Sequence, residues 1–128
     1  MTQGAINFRG QQERLPNRRP SSTYKFRVGG SPSTFLHTGD YPDGRLGEIF
    51  ITQARIGSFS RGMLDAFGLV CSKALQFGMP LEELCDSFIN SRFEPSGAVE
   101  GDPQITDASS LLDYVFRRLK EDYKDHLK

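Results

Sequence analysis

Cysteine and histidine are scarce in this chain, and tryptophan is absent. Cys71 and Cys85 are its only thiols, His37 and His126 its only imidazoles. A tetrahedral zinc or iron–sulfur site needs several thiolate or imidazole ligands held together. No spacing among these four residues assembles one, so no metal and no other cofactor is expected. Each cysteine falls inside an apolar helical pattern, where a thiol usually serves as a small buried hydrophobe. A disulfide would be unusual in a cytosolic chain. No apolar run approaches the roughly 20 residues of a membrane span, and the opening MTQGAINFRGQQERLPNRR lacks the apolar core of a signal peptide. The expectation is a cytoplasmic protein with no membrane association.

What is present is ordinary in bulk. The 128 residues, 37% hydrophobic and 25% charged, suit one globular domain with a sizeable core. The net charge of zero conceals an asymmetry. Within residues 1–30, Arg9, Arg14, Arg18, Arg19, Lys25 and Arg27 stand against Glu13 alone, so the rest of the chain is correspondingly acidic. Clustered guanidinium groups bind phosphates of nucleic acid or nucleotide even when the total charge cancels. The same arm can equally stay solvated or dock on an acidic neighbour.

Periodicity divides the chain into a basic, extended or partly disordered arm, residues 1–22, kept non-helical by Pro16 and Pro20, and a single domain, residues 23–128. From Thr23, Tyr24, Phe26 and Val28 alternate with Lys25 and Arg27, the pattern of a half-buried strand. A second strand runs from Thr34 to Asp40 and meets the turn Tyr41-Pro42-Asp43-Gly44; a third runs from Gly47 to Arg55. Its run Ile49, Phe50, Ile51 is apolar on both faces, which suits a central or doubly covered strand. The period then turns helical. Ser58 or Ser60 is placed to cap a helix in which Met63, Leu64, Phe67, Val70, Cys71, Ala74 and Leu75 form the buried face, ending at Gly78. Pro80 opens a second helix with Leu81, Leu84, Cys85, Phe88 and Ile89 inward. A loop from Phe93 to Gln104 precedes a last helix beginning near Thr106 or Asp107. The fold class is therefore α+β: a three-stranded antiparallel sheet packed with two or three helices. Cover on both faces of Ile49–Ile51, and the liability of open strand edges, lead us to expect a homodimer.

Three stretches carry a family likeness: NRRPSSTYKFRVGG at 17–30, YPDGRLGEIFITQARIGS at 41–58 and DAFGLVCSKALQFGMPLEELCDSFINSRFEPSG at 65–97. In order and at close to family spacing, they resemble the accessory C-terminal region of adenosylcobalamin-dependent (class II) ribonucleotide reductases, a region related to the TSCPD domain. The resemblance implies ancestry before activity, because the large barrel that binds cobalamin and reduces the ribose has no counterpart in a chain of this length. It also implies cysteines near the start of the first helix and after the helical pair. Here those neighbourhoods read GSFSRG and NSRFEPSG, and the tail FRRLKEDYKDHLK has no cysteine pair to restore reductase thiols.

Three clusters are candidate sites. Arg14, Arg18, Arg19, Lys25 and Arg27 are candidates for phosphate or nucleic-acid binding. Ser58, Ser60 and Arg61, at a helix start with free N–H groups, suit an anion, although capping alone accounts for the serines. Arg92 and Glu94 mark either a recognition loop or a helix-ending turn in which Phe93 plugs the core and Arg92 pairs with an acid. His37 reads as a structural or surface histidine, and no nucleophile–base constellation is evident. The function expected is a non-catalytic binding or regulatory module derived from a reductase accessory domain, acting through a macromolecular partner, with a ribonucleotide reductase as one candidate. The alternative is a nucleic-acid-binding protein using the basic arm and first strand. An enzyme acting on a nucleotide at residues 57–62 ranks third.

Overall fold

Residues 11–54 and 57–128 are described by a computed structural model; Arg9, and the expected strand end at Arg55, lie outside them. Alternation decides the first three strands. In β1 (Ser21–Val28) Phe26 and Val28 are buried while Lys25 and Arg27 are exposed, as in a sheet covered on one face. β2 (Thr34–Asp40) buries Thr34, Leu36 and Thr38, and β3 (Leu46–Gln53) buries Ile49 and Ile51. These strands form the expected antiparallel meander, with Thr23 opposite His37 and His37 opposite Phe50.

The sheet nevertheless has five strands rather than three, in the order β3-β2-β1-β4-β5. β4 (Gly97–Glu100) pairs antiparallel with the free edge of β1, and β5 (Asp107–Ala108) with β4. At four and two residues they are too short to display alternation, so Phe93–Gln104 reads as a loop from sequence. Gly29 permits the pairing. Its φ is +57°, and a Cβ there would stand 2.2 Å from the Ser96 carbonyl oxygen, so a side chain would push the two segments apart.

β3 is an edge strand, not a central one. Ile49 and Ile51 enter the core, but Phe50 points away and is 40% exposed, so this run is covered on one face only. Its outer edge is closed by α1 (Ser58–Gln76). The Ser72 hydroxyl accepts from Ile49 N–H and donates to the Ile49 carbonyl, both at 3.0 Å, and Gln76 Nε2 donates to the Gly47 carbonyl at 3.0 Å. A Cβ on Gly68 would lie 3.1 Å from the Ile49 carbonyl oxygen, so glycine allows the helix backbone this close to the strand. The N-cap of α1 is Gly57, which makes no side-chain cap. Ser58 and Ser60 therefore sit inside the first turn and do not cap it.

α2 (Leu81–Phe88) begins after Pro80 with Glu82 and Glu83 at its positive end. α3 (Leu111–Asp122) starts later than the sequence suggests because Ala108 belongs to β5 and Ser110 is the N-cap, accepting from Asp113 N–H at 3.0 Å. Asp113 is 1% exposed and accepts in turn from Ser109 N–H and Asn90 N–H. One carboxylate thus ties the start of α3 to the end of α2. The core lies between the inward sheet face and the helices, with Phe26, Leu36, Ile49, Tyr114, Phe116 and Leu119 at its centre.

A buried ionic group closes the β5 side. Asp102 accepts from the backbone N–H of Gln104 and Ile105, from the Tyr114 hydroxyl at 2.9 Å and from Arg118 at 2.9 Å. Arg118 also donates to Gln104 and Asp122. Burial works to raise the Asp102 pKa, but these donors outweigh it and hold the carboxyl at about 2, below its ordinary 3.8. A folded-state pKa below the unfolded value means stability that is full above pH 4 and lost as pH falls toward 2. We expect urea unfolding to show that loss. We also expect Arg118→Met, which strands the buried Asp102 charge, to cost about 3–5 kcal/mol at neutral pH. A variant within about 0.5 kcal/mol of the parent would show that the group is not holding the fold together.

Candidate functional site

The helix that seals the sheet edge carries apolar side chains on both of its faces. Leu64, Phe67, Cys71 and Leu75 look inward, with Gly68 and Ser72 against β3. On the other side Phe59 is 78% exposed, Met63 56%, Leu69 52% and Val70 65%. Phe59, Met63, Ala66 and Val70 recur at spacings of four, three and four, which aligns them along one stripe of an α-helix. Isolated exposed apolar residues are normal, whereas these four are grouped on one side of one helix. The sequence pattern placed Met63 and Val70 on the buried face, and the structure puts them on the opposite one. The signal was present, since Met63 and Leu64, or Val70 and Cys71, are neighbours about 100° apart that cannot both be central to one stripe.

The second uncovered surface is the outer face of the sheet. Lys25 stands opposite Phe35, and His37 opposite both Thr23 and Phe50. The His37 ring lies within hydrogen-bond distance of Thr23 Oγ1 at 3.2 Å and Thr52 Oγ1 at 3.3 Å, and stacks beside Phe35. This agrees with the structural or surface role expected for His37. Lys25 and Arg27 share this face, while Tyr24 and Phe26 turn inward, as alternation predicted.

The remaining sequence candidates do not converge. Arg19 is tied to Glu48 at 2.6 Å and to the Pro16 carbonyl at 2.7 Å, so this part of the arm docks on the body. Glu13 does the same through Arg45. Arg14 and Arg18 are exposed and make no ion pair among the described residues. Ser58 and Ser60 lie about 160° apart around the helix axis, and Arg61 borders a cleft of about 90 Å³ that also carries Asp65, so the three do not form a common pocket. Arg92 and Glu94 are exposed. Phe93 is 45% exposed and does not plug the core, and Arg92 makes no ion pair among the described residues. The reason is local: Asn90, at φ 73° and bonded to Asp113, turns the chain outward before Phe93.

No arrangement suited to covalent chemistry appears among the described residues. A polar cleft of about 420 Å³ lies between β1, β2 and the end of α3; its Asp40 and Asp122 carboxylates are taken up by neighbouring tyrosines, and the Thr38 hydroxyl beside them has no partner among the described residues. Tyr123 donates to Asp40 and Tyr24 to Asp122. Burial, reinforced by the Asp122 carboxylate, pushes the Tyr24 phenol up to about 12, and burial also raises the Asp40 carboxyl. Cys71 and Cys85 are both buried, as expected, and burial pushes each thiol up to about 11. No helix among the described residues is long and apolar enough to cross a membrane.

Comparison with known proteins places these surfaces in context. Residues 8–123 match the family model of the TSCPD domain. The chain is 46% identical over 113 residues to a vitamin B12-dependent ribonucleotide reductase of Agrobacterium fabrum, covering 88% of this chain and 9% of that protein. It is 44% identical over 114 residues to the enzyme so named from Rhodopirellula baltica, covering 89% and 11%. Against the one from Streptantibioticus cattleyicolor it is 42% identical over 118 residues, covering 92% and 19%. The chain therefore spans between about a tenth and a fifth of these relatives. No solved structure gives a significant match.

Because the thiolate is the reactive form, both cysteines should resist a thiol reagent in the native protein and react together on unfolding. Absorbance during treatment with a disulfide reagent, with and without denaturant, reads this out. Rapid native labelling of either residue would contradict the burial described.

Proposed function

Because the chain belongs to the TSCPD domain family, we propose that it is a non-catalytic binding or regulatory module of ribonucleotide-reductase descent, acting in the cytoplasm through a protein partner. The observation that carries this reading is the outer face of α1, where Phe59, Met63 and Val70 are exposed on a domain whose core is otherwise closed. Exposure of this kind is stabilised by burial against another protein, at roughly 25 cal/mol for each Å² of apolar surface removed from water. The chemistry for which the relatives are named belongs to proteins about five to ten times longer, and the two thiols of this chain are buried and protonated at neutral pH. A vitamin B12-dependent reductase is the partner most consistent with that descent.

One observation favours a second reading, a nucleic-acid partner. Lys25 and Arg27 share an uncovered sheet face with Phe35, His37 and Phe50, and aromatic rings beside cations are how open sheets hold single strands.

Both readings are tested on one sensor surface carrying the full chain. A purified B12-dependent reductase is expected to bind saturably, and Phe59→Asp with Met63→Asp is expected to weaken that binding at least tenfold, while the chain alone yields no deoxyribonucleotide. Turnover by the chain alone, or reductase binding indifferent to the α1 substitutions, would overturn the first reading. The second expects an oligonucleotide signal that falls with salt and with Lys25→Ala and Arg27→Ala. An oligonucleotide signal indifferent to both would overturn it.

A further inference from the structure

We infer that the outer face of α1 is a self-association surface, occupied by α1 of a second copy of this chain packed antiparallel across a two-fold axis at Ala66. The inference rests on the reading of this face as a protein-docking surface and names what covers it in the free chain, a second copy that a reductase must displace.

Three observations select a second copy. The first is self-complementarity, which a two-fold interface requires because the same patch must serve both partners. With Ala66 at the axis, residues equally distant on either side of it meet. Val70 then lies against Gly62 of the other copy, where a Cβ would meet only open space, so a branched side chain enters the gap left by a missing one. Met63 faces Leu69, and two alanines meet at the centre, where close approach is needed. The contact on each copy then runs from Phe59 through Ala66 to Lys73, its members recurring every three or four residues as in helices that cross at about 20°.

The second is charge. Lys73 is the cation that falls on the seam, and in this arrangement its ammonium meets the ring of Phe59 from the other copy, an attractive cation–π pair, rather than another charge. Arg61 and Asp65 lie off the seam beside the cleft next to β3. No like charges are opposed.

The third is area. The exposed fractions of Phe59, Met63, Leu69 and Val70 amount to on the order of 400 Å² of apolar surface, taking such side chains at about 150–200 Å² each. A standard interface buries about 800 Å² per partner, a little over half of it apolar. The patch supplies most of the apolar area that a stable dimer needs. The obvious alternative route, strand addition at β3, is obstructed, because α1 lies along that edge with Ser72 on both backbone groups of Ile49 and Gln76 on the Gly47 carbonyl.

Sedimentation velocity on the full chain from about 1 to 100 μM tests this. The expected species has twice the 14.4 kDa chain mass. Met63→Asp with Val70→Asp should convert it to monomer, with an unchanged circular dichroism spectrum showing that the fold survives. Ala66→Cys should oxidise to a covalent dimer, which separates an axis at Ala66 from any other dimer geometry. A chain that is monomeric throughout, a dimer that survives the double substitution, or an Ala66→Cys chain that does not cross-link would each overturn the inference. A monomer whose reductase binding still depends on Phe59 and Met63 overturns self-association alone and leaves the docking reading standing. A monomer whose reductase binding ignores them removes both.

Discussion

The contact between Ser72 and Ile49 organises this molecule. A single hydroxyl accepts from the amide and donates to the carbonyl of one edge residue, and Gly68 gives the helix the room to make both bonds. An exposed edge strand is a template for unwanted pairing, and β3 would be one. Covering it with a helix solves that problem but fixes the helix at the rim of the sheet rather than on its face. A helix at the rim is covered on one side only. The exposed stripe of Phe59, Met63 and Val70 is therefore a geometric consequence of edge sealing.

The opposite end of the sheet is held by different physics. β4 and β5 contribute little ladder of their own, and polar groups take over. Asp102 gathers the 102–105 turn, Tyr114 and Arg118, while Asp113 gathers Ser109 and Asn90. Arg118 extends the first cluster to Asp122, which also receives the Tyr24 hydroxyl from β1. Charges buried in this way must be fully bonded to be tolerated, and these nearly are, with Arg118 Nε the one guanidinium nitrogen left without a partner. The result is a rigid frame with one half-exposed helix.

Much of this frame was legible. Alternation in Tyr24–Val28 and the turn at Tyr41–Gly44 mark the meander, and the stripes Leu81–Phe88 and Leu111–Leu119 mark two helices, because each pattern is long enough to repeat. β4 and β5 were hidden by length, since Gly97–Glu100 offers only Val99 to the core. The start of α3 was misplaced because Ala108 is buried for a reason a helical pattern shares, namely contact with the same core. The candidate site was less legible than the fold. Lys25 and Arg27 were correctly read as facing away from Tyr24 and Phe26. Met63 and Val70 were read inward because apolar residues on α1 occupy two opposite arcs, and a pattern that looks for one buried face merges them. The doubly apolar run at Ile49–Ile51 was read as cover on both faces, when Phe50 in fact stands in the open.

The family likeness, confirmed over residues 8–123, fits this arrangement. A segment that forms a small part of a large reductase elsewhere has here a closed core, buried thiols and a helix with an exposed apolar stripe. All of it depends on α1 sitting where Ser72 holds it. Amide hydrogen exchange at Ile49 measures that directly. The Ile49 N–H points away from β2 and is expected to be as protected as the central amides of β2, opening only with global unfolding. Exchange of Ile49 at the fast rate of a solvent-facing edge amide would mean that α1 does not seal the strand.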